Sequence, residues 1–104
     1  MRQVQSNTLL SAVTTSSTTG TAYLVEKAID AMVQVVATVA TSATVVIEGS
    51  IDGTTYGTID SSTKTADANY FVVIPVPLKY VRAKTGAVTS ATVTVTLFSS
   101  YGEF

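Results

Sequence analysis

Several residue types that carry chemistry in proteins are missing from this sequence. Its 104 residues include no cysteine, no histidine and no tryptophan. Without cysteine the chain can form neither a disulfide framework nor a thiolate metal site. Without histidine it lacks the residue that most often serves as the base beside a hydrolytic nucleophile. These absences count against an enzyme or a metalloprotein.

Charged residues are also scarce. They make up 12% of the chain, against about 25% in an average globular protein, and the net charge is −1. No basic patch is available to neutralise nucleic-acid phosphates or to hold a membrane surface, so we expect neither partner. Roughly three residues in ten are Ser or Thr, well above ordinary usage. A hydroxyl-rich surface with little charge repulsion favours a protein that joins an assembly.

The length and the N-terminal sequence bound the organisation of the chain. We expect a single domain over residues 1–104, large enough to form a core without metal or disulfide. The first residues contain no apolar segment typical of a signal peptide, and no run approaches the roughly 18 apolar residues of a membrane span. Residues 1–13 are weakly patterned, and both an extended N-terminal arm and a frayed terminus are open interpretations.

Alternating apolar and polar residues predict β-strands along most of the chain. The segment 43–59 reads as a strand, a turn at Asp52-Gly53 and a second strand, and Thr41-Ser42 predicts a tight turn that pairs it with 31–40 as a hairpin. Residues 60–69 are expected to form a polar loop and Gly86–Thr89 a turn. Further strands are predicted at 22–28, 70–76, 78–85 and 90–99. The predicted fold is an all-β antiparallel β-sandwich of about seven or eight strands, with jelly-roll winding as an option.

Strand periodicity also assigns faces. The odd-numbered residues of 31–40 share one face and the even-numbered residues the other, and the odd-numbered residues of 90–99 are predicted to face the core. The run from Tyr70 to Val76 is apolar on both faces, with Phe71 and Val73 opposite Tyr70, Val72 and Ile74. A strand with two apolar faces must be covered by the core on one side and by something else on the other.

Other residue patterns point weakly to chemistry. Ordinary surface and turn roles outweigh three chemical interpretations of the sequence. These are a Ser–Lys pair without histidine, Glu48 and Asp52 as a glycosidase pair, and Asp52 with Asp60 as calcium ligands. We therefore expect no catalytic residues, no metal and no cofactor. Arg82 and Lys84, with Lys79 nearby, read as a solvated strand face or as charges that block a sheet edge.

Aromatic residues supply the remaining candidate sites. Tyr56, Tyr70 and Tyr80 are the candidates for a sugar-binding platform, although packing in a core or interface explains tyrosines more simply. The candidate interface residues are Phe71, Val73, Phe98, Tyr101 and Phe104.

Two segments together resemble a known group of proteins. One is VVIEGSIDGTTYGTI, with Glu48-Gly49-Ser50, Asp52-Gly53-Thr54 and Tyr56; the other contains Lys79-Tyr80-Val81-Arg82 and the Thr/Val-rich strand that follows. This order is similar to small β-sandwich domains in structural proteins of tailed bacteriophages. The resemblance covers roughly residues 31–98, and Tyr56 stands where that group usually has Trp or Phe.

The resemblance implies a virion structural protein, assembled in the host cytoplasm. For a chain of this length it implies a capsid decoration (cement) protein that binds the shell as a small homo-oligomer, a dimer or trimer, with itself and the major capsid or other virion proteins as partners. A tail, baseplate or fibre component and a host-recognition carbohydrate-binding module remain the alternatives.

Overall fold

The computed structural model describes residues 3–75 and 78–101, which form one antiparallel sheet of six strands. The strands are β1 (Gln3–Val13), β2 (Tyr23–Leu24), β3 (Asp30–Ser50), β4 (Gly57–Lys64), β5 (Ala68–Ile74) and β6 (Tyr80–Tyr101). This confirms the all-β antiparallel prediction. Within these ranges no helix long and apolar enough to cross a membrane is found.

Two long strands organise the sheet. β3 and β6 pair with each other over nearly their whole length. On the free side of β3, β5 pairs with residues 31–37 and β4 with residues 43–49. On the free side of β6, β1 pairs with residues 93–101 and β2 with residues 80–81. Each long strand therefore belongs to two half-sheets. We call β1, β5, residues 30–39 and residues 91–101 the first layer, and β2, β4, residues 42–50 and residues 80–88 the second layer.

Two β-bulges separate the layers. Between the pairs Val39–Ala91 and Ser42–Thr89, β3 contains one residue more than β6. Just beyond, between Ala43–Val88 and Val45–Thr85, β6 contains the extra residue. The two insertions cancel, so the same register and the same inward-facing residues continue into the second layer. Bulges bend strands and strengthen their twist, so both long strands turn a corner here.

The predicted turns at Thr41-Ser42 and at Gly86–Thr89 are therefore wrong. Both segments lie at this corner, where each chain bends but continues in the same strand. Residues 31–40 and 43–49 do not form a hairpin with each other, because both pair with β6. Small and polar residues favour a bulge as readily as a reversal, and only the partner strand distinguishes the two outcomes.

The corner folds the sheet back on itself. Residues 80 and 100 of β6 would lie roughly 66 Å apart in a straight strand. Yet the amide of Val25 donates to Lys79 at 2.8 Å, and the amide of Ile29 donates to Ser100 at 2.7 Å. The segment 25–29 can span at most about 18 Å, so the two ends of β6 are brought together. The hydroxyls of Ser62 on β4 and Tyr70 on β5 also meet at 2.8 Å. This arrangement is consistent with a sandwich of two four-stranded layers, while jelly-roll winding stays a prediction.

The core lies on the inward face that the two layers share. The residues of 90–99 predicted to face the core are buried, which confirms that face of β6, and the odd-numbered residues of 31–40 are buried as well. The buried residues of β3 and β6 include Val33, Val35, Ala37, Val39, Val45, Ile47, Val81, Ala83, Ala91, Val93, Val95 and Leu97. Leu9, Leu10, Val25 and Ile74 complete the same cluster.

Shorter elements differ from their predictions. The expected loop over residues 60–69 is wrong, because Gly57–Lys64 forms β4 and pairs with β3. Its Ser, Asp and Thr residues suit an edge strand with one side in water, so their turn propensity is overridden by pairing. The strand predicted at 22–28 shortens to Tyr23–Leu24. Gln3–Val13, expected as an arm or a frayed terminus, forms β1 and pairs with β6.

Ser90, opposite the first bulge, has a φ of 50°, a value that residues other than glycine seldom adopt. We expect Ser90→Gly to raise the free energy of unfolding by about 0.5–1 kcal/mol, because glycine removes the left-handed penalty. Ser90→Val should lower it by about 1–2 kcal/mol, since a β-branched side chain fits that conformation poorly. Urea unfolding at pH 7 measures both, with Thr89→Gly as the control expected to destabilise. A loss for Ser90→Gly equal to that of Thr89→Gly would contradict this interpretation.

Candidate functional site

The turn between β3 and β4 is held by its own side chains. The hydroxyl of Ser50 accepts the amides of Asp52 (3.2 Å) and Gly53 (2.8 Å), and donates to the carboxylate of Asp52 at 2.9 Å. That carboxylate also accepts the amides of Thr54 and Thr55, each at 2.8 Å. The amides of Thr55 and Thr54, with the hydroxyl of Ser50, lower the pKa of Asp52 below its ordinary value. Gly53 supplies the φ of 80° that the turn requires.

A buried carboxylate connects this turn to β6. Glu48 is only 6% exposed and pairs in register with Arg82. Its oxygens receive Nε of Arg82 at 2.8 Å and Nζ of Lys84 at 3.1 Å. The guanidinium of Arg82 also lies 3.7 Å from the ring centre of Tyr56, a cation–π contact. Burial raises the pKa of Glu48, but the hydrogen bonds and positive charges of Arg82 and Lys84 together lower it by more. The pKa of Glu48 therefore lies below its ordinary value of 4.5.

This cluster explains the two sequence segments that carry the family resemblance. The Glu48 segment and the Lys79–Arg82 segment are adjacent strands, and Tyr80 packs against Gly53 while Arg82 packs against Tyr56. An edge-blocking role for the basic residues is wrong, because β6 has partners on both sides there: β3, and also β2 and Thr19. The residue that sequence reasoning missed is Glu48 as the buried partner of both cations. The available signal was that Glu48 and Arg82 stand in the two segments that together carry the family resemblance.

The two carboxylates of this region do not form a catalytic pair. Glu48 is saturated by two cations and Asp52 by backbone amides and a hydroxyl. Among residues 3–75 and 78–101, no group of three or more Asp, Glu, His or Cys side chains could hold a metal ion. The arrangement stabilises a turn and a strand pair.

The three candidate tyrosines do not meet on one surface. Tyr70 faces inward from β5, with its hydroxyl on Ser62 and Nζ of Lys64 4.8 Å from its ring centre. Burial raises the pKa of Tyr70, as does the nearby charge of Asp60, although the Ser62 hydrogen bond opposes both. Tyr80 begins β6 in the second layer and packs against Gly53, and Tyr56, in the β3–β4 turn, packs against Arg82. The structure therefore assembles no platform from Tyr56, Tyr70 and Tyr80.

Three of the candidate interface residues do come together. Sheet pairing places Phe98 beside Met32 and Met32 beside Val73, in one row across β6, β3 and β5. Phe71 lies two residues from Val73 on the same face. Phe71 is 60% exposed and Val73 is 70% exposed. We call the outward side of the first layer the apolar face; its apolar members are Val4, Met32, Val36, Phe71, Val73 and Phe98.

The apolar face contains an open pocket and almost no charge. The pocket has a volume of about 380 Å³ and is lined by Val4, Met32, Val73 and Phe98, with Asp30 and Ser100 at one end. Among the residues that the structure describes, the other outward-facing positions of the first-layer strands include these uncharged residues: Ser6, Thr8, Gln34, Thr38, Asn69, Thr92, Thr94 and Thr96. Gln34 and Asn69 hydrogen-bond to each other at 2.9 Å beside Phe71.

The candidate interface residue Tyr101 does not lie on the apolar face. Tyr101 belongs to the inward-facing set of β6, and its hydroxyl donates to the carbonyl of Leu24 at 3.5 Å. Phe104 lies outside the described residues. Sequence reasoning missed Val4, Met32 and Val36 as members of the apolar face. The signal was present in the segment 31–40, whose even-numbered positions include two apolar residues.

Comparisons with known proteins support the fold. No protein-family model matches the sequence, and a comparison with curated proteins finds no match. The fold is similar to the SPBc2 prophage-derived protein YomS, with 16% sequence identity and a TM-score of 0.70 over 96% of this chain and 95% of that one. It is also similar to the PBSX exported protein XepA, with 15% identity and a TM-score of 0.58 over 96% of this chain and 38% of that one.

A third similar structure comes from Bacillus endospore appendages, described as a family of disulfide-linked pili. It is 11% identical, with a TM-score of 0.54, over 100% of this chain and 92% of that one. None of these three proteins is described as an enzyme. One is described as prophage-derived, one as an exported protein and one as part of endospore appendages. At these identities the likeness shows a shared fold.

Proposed function

We propose that this chain is a structural protein of a phage-derived particle, and specifically a capsid decoration subunit that binds the assembled shell as a small oligomer. The apolar face is the observation that carries the proposal. Phe71 and Val73 remain 60% and 70% exposed on the edge strand β5, on a face where Asp30 is the one charged residue among the described outward-facing positions. A contiguous exposed apolar surface of this kind marks an interaction site on a folded protein, because leaving it in water is unfavourable.

The similar structures support the same proposal. A prophage-derived protein shares the fold over nearly its whole length, and a pilus protein shares it over most of its length. A rigid two-layered β fold with one apolar face suits packing against other subunits, and this chain is proposed to use it in that way. The partners proposed are copies of the chain itself and the major capsid protein.

The polar chemistry of the described residues supports a non-catalytic role. Glu48, Asp52, Arg82 and Lys84 are engaged in contacts that hold the β3–β4 turn to β6. A catalytic acid or base must reach a substrate, and groups saturated by internal partners are poorly placed for proton transfer.

The test is made on particles released by the bacterium or phage that encodes the chain. Heads and tails are separated on a density gradient, and the chain is quantified in each fraction by mass spectrometry. We expect it in the head fraction, and we expect heads from a gene deletion to release their DNA at a lower temperature than wild-type heads. Recovery with tails alone would overturn the decoration assignment, and absence from all particles would overturn the structural role.

A further inference from the structure

We propose that the apolar face is covered by a second copy of the same chain, in a two-fold symmetric contact with Met32 close to the axis. This inference specifies the oligomer within the proposed function and rests on it. Three properties of the face support a second copy as the occupant: its size, its lack of charge and the arrangement of its apolar side chains.

The size of the face fits a small symmetric dimer. Four strands about 4.8 Å apart and seven residues at about 3.3 Å each make a flat area of roughly 450 Å², and protruding side chains add to it. A standard interface buries about 800 Å² per partner, and weaker specific contacts bury less than about 600 Å². The first layer therefore offers enough surface for a dimer at the low end of this range. Two sheets can stack face to face at about 10 Å, as they do inside a β-sandwich.

The charge distribution suits a contact between identical surfaces. In a two-fold contact each patch meets its own copy, so any charge near the axis would be placed against a like charge. Asp30 is the one charged residue among the outward-facing positions that the structure describes in the first layer, and it lies at the end of the face. The second layer is different, because Arg82 and Lys84 lie on its outward side beside Glu48.

The order of side chains places Met32 at the centre. It lies on the internal strand β3, with Phe98 beside it on β6 and Val73 beside it on β5. A two-fold axis parallel to the strands, running between β3 and β6 beside Met32, brings β5 of one copy over β1 of the other. Phe71 and Val73 then meet the side of the face that contains Val4 and Phe98. Methionine adapts its shape readily, which suits a residue that packs against its own copy.

Single cysteines test this geometry cleanly, because the sequence contains none. Met32→Cys and the control Ser61→Cys, on the outward side of β4, are treated with a short bis-maleimide at micromolar protein concentration. We expect most Met32→Cys protein to become covalent dimer on a denaturing gel and Ser61→Cys to remain monomeric. Equal cross-linking of the two variants would overturn the proposal. Circular dichroism confirms that both variants fold.

Matched apolar-to-polar substitutions provide a second test. Phe71→Ser and Ile51→Ser both replace an exposed apolar side chain, and Ile51 is 75% exposed in the β3–β4 turn. Sedimentation equilibrium should show a dimer dissociation constant raised at least about 100-fold by Phe71→Ser and less than threefold by Ile51→Ser, relative to the native chain. The opposite order would overturn the proposal.

The two proposals fail in different ways. A native chain that scatters light as a 10.8 kDa monomer at millimolar concentration, or as a trimer, overturns the two-fold contact. Its recovery with heads would leave the structural role in place. A dimer that is never found in particles would retain the contact and remove the proposed function.

Discussion

Replacing Leu97 by alanine is expected to lower the free energy of unfolding by about 3 kcal/mol. Leu97 is fully buried in the C-terminal half of β6, where it pairs with Val33 of β3 and Asn7 of β1. Truncation removes its buried methyl groups and leaves a cavity that close packing on both sides cannot fill. Urea unfolding followed by far-UV circular dichroism measures the loss.

The next residue in sequence provides the control. Phe98 is larger than Leu97, yet it points to the outward side of the same strand. We expect Phe98→Ala to cost about 1 kcal/mol or less when measured on the dissociated chain, because most of its proposed contact is with another subunit. If Phe98→Ala proved as destabilising as Leu97→Ala, the assignment of inward and outward faces in β6 would be wrong.

Replacing Glu48 by glutamine is expected to lower the free energy of unfolding by about 1–2 kcal/mol at pH 7. The substitution keeps the size of the side chain and removes the charge that Arg82 and Lys84 share. Breaking a fully buried ion pair costs about 3–5 kcal/mol. The cost here is smaller because the side chains of Arg82 and Lys84 are partly in water. The exposed carboxylate of Glu26 offers the matched control, and Glu26→Gln should change stability little.

The stability difference between the native chain and Glu48→Gln is expected to depend on pH. Because the pKa of Glu48 is lowered in the folded chain, its contribution to stability is complete above its ordinary value of 4.5 and is lost as the pH falls through the lower folded value. The difference in stability between the native chain and Glu48→Gln should therefore be constant from pH 7 to about pH 5 and shrink towards pH 3. Asp52 also has a lowered pKa, but it is present in both the native chain and Glu48→Gln. Its own acid dependence therefore cancels in the difference between them. A difference that stayed constant down to pH 3 would show that the charge of Glu48 does not stabilise the fold.

The faces of the strands could be read from the sequence because period-two alternation is a local property. Val93 and Val95 are buried as alternation predicts, Val33 and Val35 share one face and that face is buried, and the doubly apolar segment around Phe71 has one face in the core and one outside. Side-chain direction follows from the strand itself, whichever strand lies beside it.

The corner could not be read in this way. Thr41-Ser42 and Gly86–Thr89 have the composition of turns, but they lie next to each other on paired strands and bend together. A reversal and a bulge use similar residues, and the choice depends on a partner about 50 positions away in sequence. The same limit explains why β4 was expected to be a loop.

The candidate site shows the same division. Phe71, Val73 and Phe98 were identifiable as outward-facing apolar residues, but the row that joins Val73 and Phe98 through Met32 exists only because β5 and β6 flank β3. The three tyrosines, equally conspicuous in sequence, are separated by the fold into the inner side of β5 and the outer side of the second layer.

The sequence by itself determined that this protein is an all-β chain with one strictly apolar set of strand positions, few charges and no cysteine or histidine chemistry. These properties follow from composition and from the period of the strand. Only the tertiary structure decided that two long strands bend around a shared corner, that Glu48 is buried between two cations, and that one layer presents an apolar face on which Asp30 is the one charge among the described outward positions. Each of these depends on which residues become neighbours across the sheet, and that choice minimises the exposed apolar area of the whole chain rather than of any one segment.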